Sequence, residues 1–204
     1  QSEAATGKTF ARFWMHTRHL MVDGQKMSKS KGNFYTIRDL VAKGYDPLVI
    51  RLALISARYR ESMDFSLKGL NEAASALTTL RDLAEKLQST VASIDEAAGE
   101  GVRESDLLDP ERALLQAVAE ALDDDLNMSG ALAALFTWAA PLNKQKKLPY
   151  PQARSALEAL RRIDHVLAVI FPPLRPLDPE ARSRVEELMR ERTDELALAS
   201  AYEQ

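Results

Sequence analysis

Cysteine is absent from all 204 residues, which excludes disulfides and thiolate metal sites and fits a reducing compartment. No run of about 18 apolar residues occurs, so no segment is built to cross a membrane as a helix. Residues 1–5 carry neither the basic flank nor the apolar core of a leader. Histidine is scarce, and His16, His19 and His165 have no ligand spacing; His165 falls among apolar helix positions and reads as structural. Repeats, low-complexity segments and an initiating Met are also missing. The polar start runs straight into the patterned residues Phe10, Ala11, Phe13, Trp14 and Met15, which predicts a piece cut from a longer protein.

What is present is the balance of a soluble globular chain, 46% hydrophobic and 28% charged, with apolar material for one or two cores. The net charge of −3 hides a division. Residues 1–60 hold 11 Lys/Arg against 4 Asp/Glu, while the remainder holds 16 against 26. Only the first part is built for an anion, and Lys26, Lys29 and Lys31 crowd six residues of it, which points to phosphate.

The predicted elements are mainly α. Residues 19–22 read as a strand, Asp23-Gly24 as a two-residue turn, and Gln25 and Lys26 as the return, a tight hairpin presenting the lysines. Thr36 caps a helix over 37–43 with Gly44 as its stop, and Asp46-Pro47 opens another over 48–57. Ser66 caps a long helix whose stripe is Leu67, Leu70, Ala74, Leu77, Leu80, Ala84, Leu87 and Val91. After a Gly-containing acidic linker at 99–106, Asp109-Pro110-Glu111 starts a helix through Leu122, and Asn127 or Ser129 starts one holding Leu132, Leu135, Phe136 and Trp138, bent or ended at Pro141. A basic loop at 144–151 leads to an amphipathic segment through Leu157, Leu160, Ile163, Leu167 and Ile170, stopped by Pro172-Pro173. Asp178-Pro179-Glu180 caps a last helix. The expectation is a short hairpin, two connecting helices and a helical bundle.

The chemistry concentrates in Lys26-Met27-Ser28-Lys29-Ser30. Two ammonium groups and two hydroxyls on a short loop can surround a polyphosphate and neutralise charge that develops during nucleotidyl transfer. Gly32-Asn33 supplies backbone freedom for closure. Asp123, Asp124 and Asp125 are expected at a helix start, explained by capping and the helix dipole rather than by a metal.

With these residues in view, the sequence resembles the class I aminoacyl-tRNA synthetases, whose second signature is Lys-Met-Ser-Lys-Ser. Phe13-Trp14-Met15-His16, Lys31-Gly32-Asn33-Phe34, Thr36-Ile37-Arg38-Asp39-Leu40, Arg51 with residues 56–60, and residues 123–127 narrow the resemblance to the cysteinyl-tRNA synthetase family. The likeness covers nearly the whole chain. It implies that Lys26 and Lys29 act on ATP phosphates during cysteinyl-adenylate formation, with Met27, Ser28 and Ser30 shaping the ATP loop. It also implies Lys31, Arg51, Arg58 and Arg60 as phosphate contacts to tRNA(Cys). By the same resemblance residues 1–35 are the edge of the catalytic domain, 36–65 a stem-contact region, 66–171 a helical tRNA-binding bundle, and 172–204 a linker with the start of an anticodon-reading domain. The family works as a cytoplasmic, monomeric enzyme using cysteine, ATP with Mg2+, and a Zn2+ that reads the substrate thiol. Neither the His-Ile-Gly-His-like element nor the zinc ligands occur in this chain, so the piece is expected to be inactive alone. Two alternatives stand beside it: a mycothiol-pathway cysteine ligase with an amino-sugar acceptor, and a synthetase-derived RNA-binding module.

Overall fold

The computed structural model describes residues 1–22, 24–28, 32–94 and 106–171. The acidic linker over most of 99–106 and the helix expected from Asp178 therefore lie outside the described residues. In chain order the elements are α1 Ser2–Thr6, β1 Leu20–Val22, β2 Gln25–Lys26, α2 Ile37–Ala42, α3 Pro47–Ile55, β3 Met63–Phe65, α4 Leu67–Ala92, α5 Asp109–Asp123, α6 Met128–Lys144 and α7 Tyr150–Leu167.

The hairpin pairs Met21 with Lys26 and Val22 with Gln25, antiparallel. A third strand lies beside it: β3 joins β1 in parallel, giving the order β2-β1-β3 with Leu20 opposite Met63 and Val22 opposite Phe65. Val22 and Phe65 are buried and tie this small sheet to the helices. β3 escapes sequence reading because three residues are too few to show an alternation.

The helix caps follow their side chains. Thr36 accepts the Asp39 N–H while Asp39 receives the Thr36 N–H, a complete capping box on α2. Gly44 follows with a left-handed φ of 91°. Asp46 accepts from Leu48 N–H ahead of Pro47, and Ser66 accepts from Gly69 N–H at the head of α4.

Along α4, Leu70, Leu77, Leu80, Ala84, Leu87 and Val91 are buried as the stripe predicts, and Leu83 joins them. Leu67 instead stands on the exposed side and Ala74 is half-buried. The helix packs against α3 on one side and α7 on the other, so its apolar face is wider than one line. Each fully buried leucine contributes about 1.5–3 kcal/mol by leaving water. α5 packs on α6 and α7 to complete the bundle.

Three expectations are corrected. Pro141 does not end α6, which runs on to Lys144: Leu142 is buried, and Lys86 Nζ donates to the carbonyls of Leu142 and Gln145 beyond it. α7 stops at Leu167, well before Pro172, because the buried Asp164 carboxylate takes the N–H groups of Val169, Ile170 and Phe171, and Ala168 turns left-handed at φ 52°. His165 is exposed on the last turn of α7 rather than packed.

One buried carboxylate holds three helices together. Glu111 on α5, 1% exposed, receives the Trp138 indole N–H from α6 at 3.1 Å and the Ser155 hydroxyl from α7 at 2.9 Å. Ser155 Oγ in turn accepts the Leu108 N–H. The pairing of each polar side-chain atom of Glu111, Trp138 and Ser155 is what makes this burial tolerable.

Candidate functional site

The hairpin that carries the lysines is fastened on both sides. Gly24, in the left-handed region at φ 74°, donates its N–H to Asp64 Oδ1 on β3 at 2.9 Å. Met27 N–H reaches the Leu20 carbonyl at 3.2 Å, and the Met27 side chain leans on the core. Lys26 is exposed at the end of β2, and Ser28 is half-buried. Lys29, Ser30 and Lys31 lie outside the described residues.

Asn33 does more than loosen the loop. Its Oδ1 accepts the Ser28 N–H at 2.9 Å and its Nδ2 donates to the Lys26 carbonyl at 3.2 Å, so one amide ties Asn33 to the backbone on both sides of Met27. The expected freedom belongs to Gly32 alone, whose φ is 68°. Asn33 itself is a staple: an asparagine carries one acceptor and two donors, and here both sides are used.

The three described arginines proposed for RNA face the bundle as well as solvent. Arg51 on α3 donates Nε to the Leu167 carbonyl at 2.6 Å and Nη2 to the Val166 carbonyl at 3.4 Å, capping the end of α7. Beside it Arg81 joins Asp46 Oδ2, at 3.1 Å, to the Val169 carbonyl, at 3.0 Å. Arg58 pairs with Asp124 at 3.4 Å and donates Nε to Asn127 Oδ1 at 3.2 Å. Arg60 meets Asp125 at 2.7 Å while its Nε also reaches Tyr59 Oη, and that hydroxyl donates to Asp125 at 2.6 Å. The Tyr59 hydroxyl and the Asp125 charge hold the Arg60 guanidinium even further above its ordinary range.

The acidic run therefore sits elsewhere than expected. Asp123 is the last residue of α5 and Asp124 its C-cap, so the helix dipole opposes these carboxylates instead of favouring them. Asp125 and Leu126 are both left-handed, at φ 53° and 56°, a strain of about 1–2 kcal/mol per residue. Arg58 and Arg60 compensate both the charge and the strain. Asn127 then caps α6 by accepting the Gly130 N–H at 3.0 Å.

A groove of about 450 Å³ lies between this latch and β1, lined by Met15, His19, Leu20, Ile55, Tyr59 and Leu126 among others. Phe10, Phe13, Trp14 and Met15, upstream of β1, are exposed, and Trp14 stacks on His16 with ring centroids 6.2 Å apart. Among the described residues no three of His, Cys, Asp and Glu gather as a metal site, and no helix is long and apolar enough to cross a membrane.

Residues 1–75 match the family model for the class I (C) tRNA synthetase catalytic domain, and residues 117–171 match the DALR domain. A cysteine–tRNA ligase of Solibacter usitatus (strain Ellin6076) is 42% identical over 175 residues, covering 84% of this chain and 36% of the relative. A second, of Chlamydia caviae (strain ATCC VR-813 / DSM 19441 / 03DC25 / GPIC), is 36% identical over 195 residues, covering 94% of this chain and 39% of the relative. The chain thus spans well under half the length of the curated relatives it matches. Among solved structures, an Agrobacterium radiobacter K84 agnB2 LeuRS in ternary complex with tRNA and LeuAMS aligns over 76% of this chain and 20% of its own, with a TM-score of 0.55 at 20% identity, a likeness of fold.

Proposed function

We propose that this chain, which belongs to the cysteine–tRNA ligase family, supplies the ATP loop and a tRNA-binding surface to an enzyme that activates cysteine and transfers it to tRNA(Cys). The observation that carries this reading is that two family models match this one chain, at residues 1–75 and 117–171, with the fastened hairpin inside the first. In this reading residues 1–35 close the catalytic domain, 36–65 contact the stem, 66–171 form the tRNA-binding bundle, and 172–204 lead into an anticodon-reading domain.

Lys26 and Lys29 then face the triphosphate of ATP and its accompanying Mg2+, neutralising charge on the departing pyrophosphate as the adenylate forms. Met27, Ser28 and Ser30 shape the loop, and Asn33 with Asp64 sets where its ends stand. Binding energy is thereby spent on a placed loop rather than on ordering a slack one. Among the described residues no donor set for Zn2+ gathers, and the chain has no cysteine, so no step is routed through it here.

Lys31, Arg51, Arg58 and Arg60 are the proposed contacts to tRNA phosphates. The internal bonds of the three arginines do not preclude this role, because a guanidinium carries five N–H donors, and Arg58 and Arg60 are 42% and 69% exposed. The DALR match over 117–171 counts against the amino-sugar ligase, a relative that lacks such a bundle.

The test is cysteine-dependent ATP–pyrophosphate exchange in the full-length parent. Replacing Lys26 and Lys29 together with Ala should cut exchange at least a hundredfold, the scale of losing one or more preorganised donors to a developing charge. Undiminished exchange in that double variant refutes the assignment.

A further inference from the structure

The bundle as a whole is acidic, yet one part of it is strongly basic. Residues 106–143 carry Asp106, Asp109, Glu111, Glu120 and the three successive aspartates against Arg112 alone. Residues 144–162 reverse the sign: Lys144, Lys146, Lys147, Arg154, Arg161 and Arg162 stand against Glu158 alone. That carboxylate is already engaged by Arg162 at 2.9 Å. Among the described residues, Lys146, Lys147, Arg154 and Arg161 meet no carboxylate in an ion pair.

Arg154 and Arg161 share a side of α7. On a helix of 3.6 residues per turn, Arg154, Glu158, Arg161 and His165 fall on one strip, opposite the buried Ala156, Leu160 and Ile163. Arg154 and Arg161 are two turns apart, about 10 Å along the axis. The strip is the side of α7 turned away from α4 and α5, where Arg154 and Arg161 are half-buried and His165 is exposed.

The loop that leads into α7 is held, not slack. Lys86 ties the Gln145 carbonyl from below, and Leu148 is buried at 7% exposure. Lys146 and Lys147 stand exposed between these two anchors. A surface needed only for solubility requires no such anchoring, whereas cations placed in advance lose less freedom on binding an extended polyanion.

We propose that the α6–α7 loop and the outward face of α7 form a second RNA-backbone contact, in which Lys146, Lys147, Arg154 and Arg161 neutralise phosphates of the tRNA at a place separate from Arg58 and Arg60. This inference rests on the tRNA reading above and adds a surface to it. The contact reads charge and spacing rather than bases, so its signature is dependence on salt.

The test uses the full chain and a tRNA(Cys) transcript, with affinity measured from about 50 to 200 mM salt. The double variants K146A/K147A and R154A/R161A should each bind at least about tenfold more weakly at 50 mM, and the slope of log K against log salt should flatten by about one to two. The loop pair changes only exposed side chains, so it reports on binding even where the α7 pair disturbs folding. Acetylation of Lys146 and Lys147, read by mass spectrometry, should be slowed by saturating tRNA. Wild-type affinity and slope in K146A/K147A, with acetylation unprotected, overturn the second contact while leaving tRNA binding intact. No salt-sensitive binding by the unaltered chain overturns both. Equal protection by polyglutamate at matched charge shows a general polyanion surface and overturns the RNA assignment.

Discussion

Replacing Asp164 with Ala strips three backbone donors of their partner in one step. The carboxylate lies at 6% exposure and accepts from Val169 and Ile170 through Oδ1, at 2.9 and 2.8 Å, and from Phe171 through Oδ2 at 2.9 Å. An unsatisfied buried donor costs about 1–3 kcal/mol, so three should cost about 4 kcal/mol or more after partial rehydration. Asp164→Asn keeps the oxygen facing Val169 and Ile170 but sets an N–H₂ group against the Phe171 N–H, for a loss of about 2 kcal/mol. For a chain of this size those losses correspond to falls in Tm of about 8–16 °C and 4–8 °C. Urea unfolding of the full chain followed by circular dichroism checks both, with m unchanged between variants. A loss below about 1 kcal/mol for the Ala variant would refute the claim that one side chain ends α7.

Other outcomes follow from the same contacts. Asn33→Ala removes both bonds to the backbone on either side of Met27, so amide exchange at Lys26, Met27 and Ser28 should rise while that of α4 stays put, with a stability loss of about 1–2 kcal/mol. Arg60→Ala should lower stability only slightly, and 1 M NaCl should erase most of the difference, because the pair with Asp125 is exposed. Asp39 is held below the ordinary carboxylate range by the Thr36 hydroxyl and N–H. Its stabilisation is present above that range and lost as pH falls through the lowered value, so Asp39→Asn should show a flatter decline in stability from about pH 5 to pH 3 than the parent chain.

The helix starts were legible in the residues because capping is local chemistry: Thr36, Asp46, Ser66 and Asn127 each accept the N–H expected of them. The hairpin that presents Lys26 was legible from its local pattern, with Met21 paired to Lys26 and Val22 to Gln25. What escaped was every feature made by distant partners. β3 acquires its identity only by pairing with β1, about forty residues earlier, and Asp164 closes α7 with donors that no periodicity announces. The aspartates at 123–125 were placed at a helix start because Asn127 and Ser129 are such good caps nearby, yet the chain needs two left-handed residues to turn there, held by arginines from another part of the sequence. Asn33 beside Gly32 read as slack because an asparagine staple and a flexible Gly-Asn pair look alike until the partners of the amide are known.

The parallel pairing of β1 with β3 has a kinetic consequence for the lysine hairpin. Bringing Leu20 beside Met63 closes a loop of more than forty residues, an entropic cost of about 3 kcal/mol that no neighbouring contact can repay early. The helices between them can form from local contacts; the sheet must wait for them. The turn that offers Lys26 thus takes part of its order from a strand far along the chain, so a lesion at Asp64 would slacken the lysine hairpin without touching it.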